Sequence, residues 1–102
     1  MGIDTQLRSE DGRVLTEVGD PNSVLSRAVT RHSLSGTRLL RYLVPWGDTV
    51  FNQAQAPDLL HDLREIIEQH AGKPLAELLA QVTPLAEQLS AETHVYLWLV
   101  GD

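Results

Sequence analysis

The chain has 102 residues, 42% of them hydrophobic and 22% charged, a formal net charge of −6, and no cysteine. That length fits one domain able to bury a core without disulfides or metal, and the composition excludes a disordered chain. With no cysteine, a disulfide scaffold, a thiolate zinc site and a cysteine nucleophile are all excluded, which fits a reducing, cytoplasmic setting.

No apolar run approaches the length that spans a bilayer, so no membrane partner is expected. The start, MGIDTQLR, carries neither the basic region nor the apolar core of a secretion signal. The charge is unevenly placed. Residues 1–51 hold six arginines and six acids, whereas residues 52–102 hold Arg64 and Lys73 against eight acids. The whole net charge therefore belongs to the second half. Such a field draws in basic partners and repels nucleic-acid backbones, so no nucleic-acid partner is expected.

Residues 3–8 alternate, with Ile3, Thr5 and Leu7 on one face and Asp4, Gln6 and Arg8 on the other, as in a half-buried strand. Asp11-Gly12 is a turn signal, and residues 13–18 alternate again, which predicts an N-terminal hairpin. Asp20 is placed to cap a helix beginning at Pro21 and running to about residue 31. Residues 33–37 read as a loop. Residues 38–44 read as a strand showing Leu40, Tyr42 and Val44 on one face. Pro45 and Gly47 then form a turn, and residues 49–51 pair back as a second hairpin.

Pro57 suits the first position of a helix and Gly72 the residue past its end. Between them Leu59, Leu60, Leu63, Ile66 and Ile67 make an apolar stripe at helical spacing. From Pro74 a second long helix keeps its period through Pro84, either as one kinked helix or as two with Thr83 as cap. Residues 93–100 are apolar on both faces, as expected of a central strand. One face would receive the helices; the other needs a partner or a loop. Gly-Asp pairs at 19–20, 47–48 and 101–102 read as strand-exit chemistry.

The reading that results is an α+β fold. A mainly antiparallel sheet of four to five strands, in the order β-β-α-β-β-α-α-β, carries two long helices of the second half on one face.

No complete catalytic signature is present, and no catalytic residue, metal site or cofactor is assigned. Asp58, His61, Asp62 and Glu65 share one helix at one-turn spacings, but the facing helix offers no histidine. They read, with Glu68, as a solvated acidic face. Arg27, Arg31, Arg38 and Arg41 lie within fifteen residues and could hold an anion. Pairing with Asp20, Glu17 and the acidic helices explains them more simply. Trp46 sits at a turn tip. It either plugs the sheet edge or, exposed with Asp48, Tyr42, Tyr96 and Trp98, forms an aromatic contact surface.

RYLVPWGDTVFN at residues 41–52, QAPDLL at 55–60 and VYLWLVGD at 95–102 resemble a group of small uncharacterised bacterial proteins of about this length. The resemblance implies no activity and no site residues.

The functional expectation is a small acidic, non-enzymatic protein-interaction module. An inhibitor of the immunity or antitoxin type, blocking a basic protein partner, is its concrete form. The alternative is a small-molecule binder or small enzyme with a pocket between sheet and helices. A homodimer through the aromatic face or a strand edge is the remaining possibility.

Overall fold

The computed structural model describes residues 2–101. The N-terminal hairpin forms as expected: β1 (Ile3–Ser9) pairs antiparallel with β2 (Val14–Val18). Gly12 takes the left-handed conformation (φ 91°) that closes the turn. The Asp11 carboxylate accepts from the Ser9 hydroxyl and, at 3.3 Å, from the Arg13 amide, which holds its pKa below the ordinary value. A bulge between Leu7 and Arg8 brings Val14 opposite Arg8.

β4 (Val95–Gly101) pairs antiparallel with β1 along its whole length, and β3 (Asp48–Phe51) pairs with its other side. The sheet order is β2-β1-β4-β3, so the doubly apolar β4 is central, as its composition demands. Ile3, Leu7, Phe51, Val95, Leu97 and Leu99 point inward and are buried, whereas Tyr96 and Val50 point outward and are exposed.

Three helices stand against the inner face. α1 (Val24–Thr30) is short, and α2 (Ala56–Gln69) and α3 (Pro74–Ala91) are the two long ones. α3 touches β1, β2 and β4, while α1 and α2 pack against α3. Leu59, Leu63 and Ile66 of α2 and Leu75, Leu79, Val82, Leu85 and Leu89 of α3 fill the space beneath the sheet. Burying a leucine side chain stabilises by about 1.5–3 kcal/mol, so these stripes anchor the fold. α3 is one helix through Pro84. The residue whose carbonyl loses its partner, Ala80, is exposed and open to water.

Asp20 caps α1, though the helix begins three residues later than expected. Its carboxylate accepts from the amides of Val24 (2.7 Å), Leu25 (3.1 Å) and Ser26 (3.3 Å), and also from Ile3 of β1 (3.1 Å). The gap is filled by a turn in which Ser23 adopts φ 55°. One buried carboxylate thus ties the hairpin to the first helix. Gly2 is needed beside it, because a Cβ there would lie 2.1 Å from the Asp20 carbonyl oxygen.

The expected strand at residues 38–44 does not form. Its place is taken by a 3-10 turn, Leu40–Tyr42, so β3 has no hairpin partner from that stretch and pairs with β4. Leu40 and Leu43 are buried and Tyr42 is exposed, a spacing of three where a strand needs two. The cause is Asp62 of α2. Its carboxylate accepts from the amides of Arg38 (2.9 Å), Leu39 (2.7 Å) and Leu40 (3.1 Å), which captures the donors a strand would give to a neighbour. Gly47-Asp48 accordingly starts a strand instead of ending one. Asp102 of the third Gly-Asp pair lies outside the described residues.

Candidate functional site

Among the described residues no helix covers the outer face of the sheet, and the pairing register fixes its map. The central row runs Glu17–Gln6–Trp98–Val50 across all four strands. On one side Arg8 stands opposite Tyr96; on the other Asp4 and Asp48 flank Val100. Side chains on neighbouring strands of one face stand about 5 Å apart, so these rows form one continuous patch.

The patch is ordered. The Arg8 guanidinium lies over the Trp98 ring, 4.1 Å from its centroid, and donates twice to the Gln6 side-chain oxygen (2.8 and 2.6 Å). Gln6 in turn donates to Glu17. Arg8 is thereby held flat on the indole by hydrogen bonds and a cation–π contact. Trp98 is half-buried under it, and Tyr96 and Val50 are 38% and 41% exposed. Around this apolar centre stand the carboxylates of Asp4, Glu17 and Asp48, with the Arg8 guanidinium over Trp98; Asp4 also accepts from the Asp20 amide at 3.0 Å. Reading Trp98 and Tyr96 as surface aromatics was possible from the sequence. Arg8, Gln6 and Glu17 were not legible there, because only the strand order sets them beside Trp98.

The acidic residues of α2 divide. Asp58 is exposed and makes an ion pair with Arg38 at 2.8 Å. Glu65 pairs with His61 one turn away, and Glu68 is exposed. Asp62 is a correction to the solvated-face expectation: it is 1% exposed and turned onto the 38–40 loop. Buried carboxylates on amphipathic helices are rare, which is why its place in the polar sequence pattern misleads. Because α2 packs against α3 on the inner side, Asp58, Glu65 and Glu68 do not share a surface with the sheet patch. Among the described residues no three of His, Asp or Glu converge as a metal site.

Trp46 is 76% exposed, so it is not a plug. Its loop is strapped to the end of β4: the Gly101 amide donates to the Gly47 carbonyl at 2.9 Å, and a Cβ on Gly101 would meet the Pro45 carbonyl oxygen at 2.5 Å. The indole lines a surface cavity with Arg41 and His32, not with Tyr96 or Trp98. Tyr42, 58% exposed, lies in the 3-10 turn, where Arg41 stacks on its ring and donates to its hydroxyl at 2.9 Å. The expected aromatic surface is therefore two surfaces. Tyr96 and Trp98 with Asp48 belong to the sheet face, and Tyr42 and Trp46 border the α1 side.

The arginine pairing expected from the sequence holds for Arg38 alone. Among the described residues Arg27, Arg31 and Arg41 form no ion pair. His94 enters β4 beside Glu10 of the hairpin, both exposed, at 2.7 Å.

The fold and the surface together define a class: an α+β domain with helices on one side of an antiparallel sheet and an aromatic, acid-rimmed open face on the other. Among the described residues no helix is long and apolar enough to cross a membrane. Comparison of the chain with protein-family models, with curated proteins and with solved structures finds no match in any of the three.

Proposed function

We propose that the chain is a small protein-interaction module whose open sheet face docks a basic protein partner. The observation that carries this reading is the patch built on the central row. It has exposed Tyr96 and Val50, a half-buried Trp98 pinned by Arg8, and a rim of Asp4, Glu17 and Asp48. Contacts with an apolar, aromatic centre and a charged rim combine anchoring with electrostatic selection of the partner. An inhibitor of the immunity or antitoxin type is the concrete form, since masking a basic toxin surface requires no catalytic group on the masking protein. The acidic α2 adds a long-range field that speeds encounter without touching the partner.

The interior favours this over a pocket between sheet and helices. That space is filled by apolar side chains of both layers, and the buried side-chain polar atoms described all have hydrogen-bond partners. His61, His94 and the arginines, the residues that would line such a pocket, all stay at least partly open to solvent.

Affinity capture from native extract tests the proposal, using the wild type, a Val50→Lys/Tyr96→Asp variant of the sheet face, and a Glu65→Gln/Glu68→Gln variant of α2. The expected result is a basic protein retained by the wild type and the α2 variant, released by moderate salt, and lost from the sheet-face variant. Equal recovery of that protein by the sheet-face variant overturns the reading. Light scattering distinguishes a second copy on the same face: a dimer that the sheet-face substitutions dissolve would replace the heterologous partner.

A further inference from the structure

We propose that the trough between the end of α1 and residues 40–46 is a binding site for a small planar aromatic anion, a ring carrying a carboxylate or phosphate. It is separate from the sheet face. A cavity of about 350 Å³ lies between Val29 and His32 on one bank and Arg41, Val44, Pro45 and Trp46 on the other. It runs on, past the shared Val29, His32 and Arg41, into a second of about 260 Å³ that ends at Tyr42. A volume near 350 Å³ falls within the range of small-ligand sites, which combine apolar walls with a few polar groups that fix orientation.

Three observations point to the ligand. The first is charge. Residues 21–47 contain four arginines and no acid in a chain of net charge −6. Only Arg38 of these forms an ion pair among the described residues. Arg41 is held instead by the neutral Tyr42 ring and hydroxyl, which leaves its charge uncompensated at the centre of the trough. Asp62 and Asp58 of α2 stand at the neighbouring residues 38–40, where three backbone amides and the Arg38 guanidinium engage their charge. The second is Trp46, an indole 76% exposed on a loop whose backbone Gly101 holds in place, so a stacking surface stands open beside the cavity.

The third is His32. α1 ends in a Schellman motif: the Ser33 amide donates to the Ala28 carbonyl (2.9 Å) and the His32 amide to that of Val29 (3.1 Å). His32 is the left-handed residue of that motif, at φ 59°, where glycine is the residue of least strain. Its side chain makes no hydrogen bond or ion pair among the described residues, yet it lines both cavities. His32 is exposed, so its imidazole is open to a ligand in the trough. In this arrangement the ring of the ligand stacks on Trp46, and its anionic group lies between Arg41 and His32.

The test uses the full chain carrying Trp98→Phe, so that Trp46 is the remaining indole. Fluorescence and calorimetric titrations are run with 2-naphthoate and with adenosine monophosphate. Adenosine and inorganic phosphate serve as ring-only and anion-only controls. 2-Naphthyl phosphate, run beside 2-naphthoate, holds the ring constant and so separates a phosphate site from a carboxylate site. Quenching of Trp46 by at least one of these aromatic anions, at concentrations below about 1 mM, is expected, with both controls at least about tenfold weaker. Arg41→Gln and His32→Gly should each weaken binding by about tenfold or more. His32→Gly should leave the melting temperature unchanged or raised, because it removes the left-handed strain; unaltered circular dichroism checks Arg41→Gln. If none of the aromatic anions binds, or if His32→Gly and Arg41→Gln bind as the parent does, the proposal fails. The sheet-face proposal is untouched by either outcome, since Trp98→Phe is common to every sample here and the partner assay varies Val50 and Tyr96 instead.

Discussion

Replacing Asp62 with alanine separates the observed role of this residue from the one its sequence position implies. On a solvated helix face the change would be neutral or mildly stabilising, because alanine is the better helix former by about half a kcal/mol. In the structure it strips the acceptor from the amides of Arg38, Leu39 and Leu40. A buried donor left unpaired costs about 1–3 kcal/mol, and hydrogen bonds to a charged acceptor are worth about 1.5–3 kcal/mol each. The Leu40 amide is fully enclosed, whereas those of Arg38 and Leu39 are partly open and can rehydrate. The net loss should therefore be about 3 kcal/mol, not three full penalties. Against a total stability of about 5–15 kcal/mol for a domain of this size, that is a large fraction. Urea unfolding followed by circular dichroism reads it. With a slope of about 1.5 kcal/mol per molar, the midpoint should fall by roughly 2 M. Asp62→Asn, which keeps one acceptor oxygen but turns an amide group toward the remaining donors, should lie between wild type and alanine. Hydrogen exchange at residues 38–40 should accelerate in both variants before the rest of the chain opens. An unfolding free energy within about 0.5 kcal/mol of wild type for Asp62→Ala would refute the claim that this carboxylate builds the loop.

Asp20→Ala should be at least as damaging, by about 3–5 kcal/mol, because four amides from two elements share its carboxylate; thermal unfolding reads the loss. Gly101→Ala should push the Pro45 backbone away from β4 and shift the emission of Trp46, while the β1–β4 amide pairs stay protected in exchange measurements. Asp11 should titrate below 3.8 by NMR. Since its folded pKa lies below the unfolded value, its contribution to the hairpin is present above the unfolded pKa and lost as pH falls through the folded one.

Much of the fold follows from local pattern. Ile3, Thr5 and Leu7 alternate into the core, Leu59, Leu63 and Ile66 recur at helical spacing, and β4 carries apolar residues on both faces because it is central. These features are legible because strand and helix periods are imposed by the backbone itself. What a single element cannot reveal is which neighbour takes its hydrogen-bond donors. Residues 38–44 have the composition of a strand, but their first three amides are claimed by Asp62, 22 to 24 residues further along the chain. A carboxylate in that position lowers the energy of a turn that intrinsic propensity would disfavour, and no local window contains it.

The site shows the same division. Trp46, Trp98, Tyr42 and Tyr96 stand out in the sequence, since aromatic residues at turn tips and on doubly apolar strands are few and conspicuous. Their grouping depended on pairing register. The partnership of Arg8 with Trp98, the separation of Trp46 from the sheet face, and the convergence of Arg41 and His32 beneath Trp46 all arise from contacts between distant segments. Composition and periodicity alone determined the α+β class, the two long helices and the concentration of negative charge in the second half. The tertiary structure decided which polar groups are buried and which charges remain uncompensated, because both depend on how distant segments meet, and chain order does not specify that.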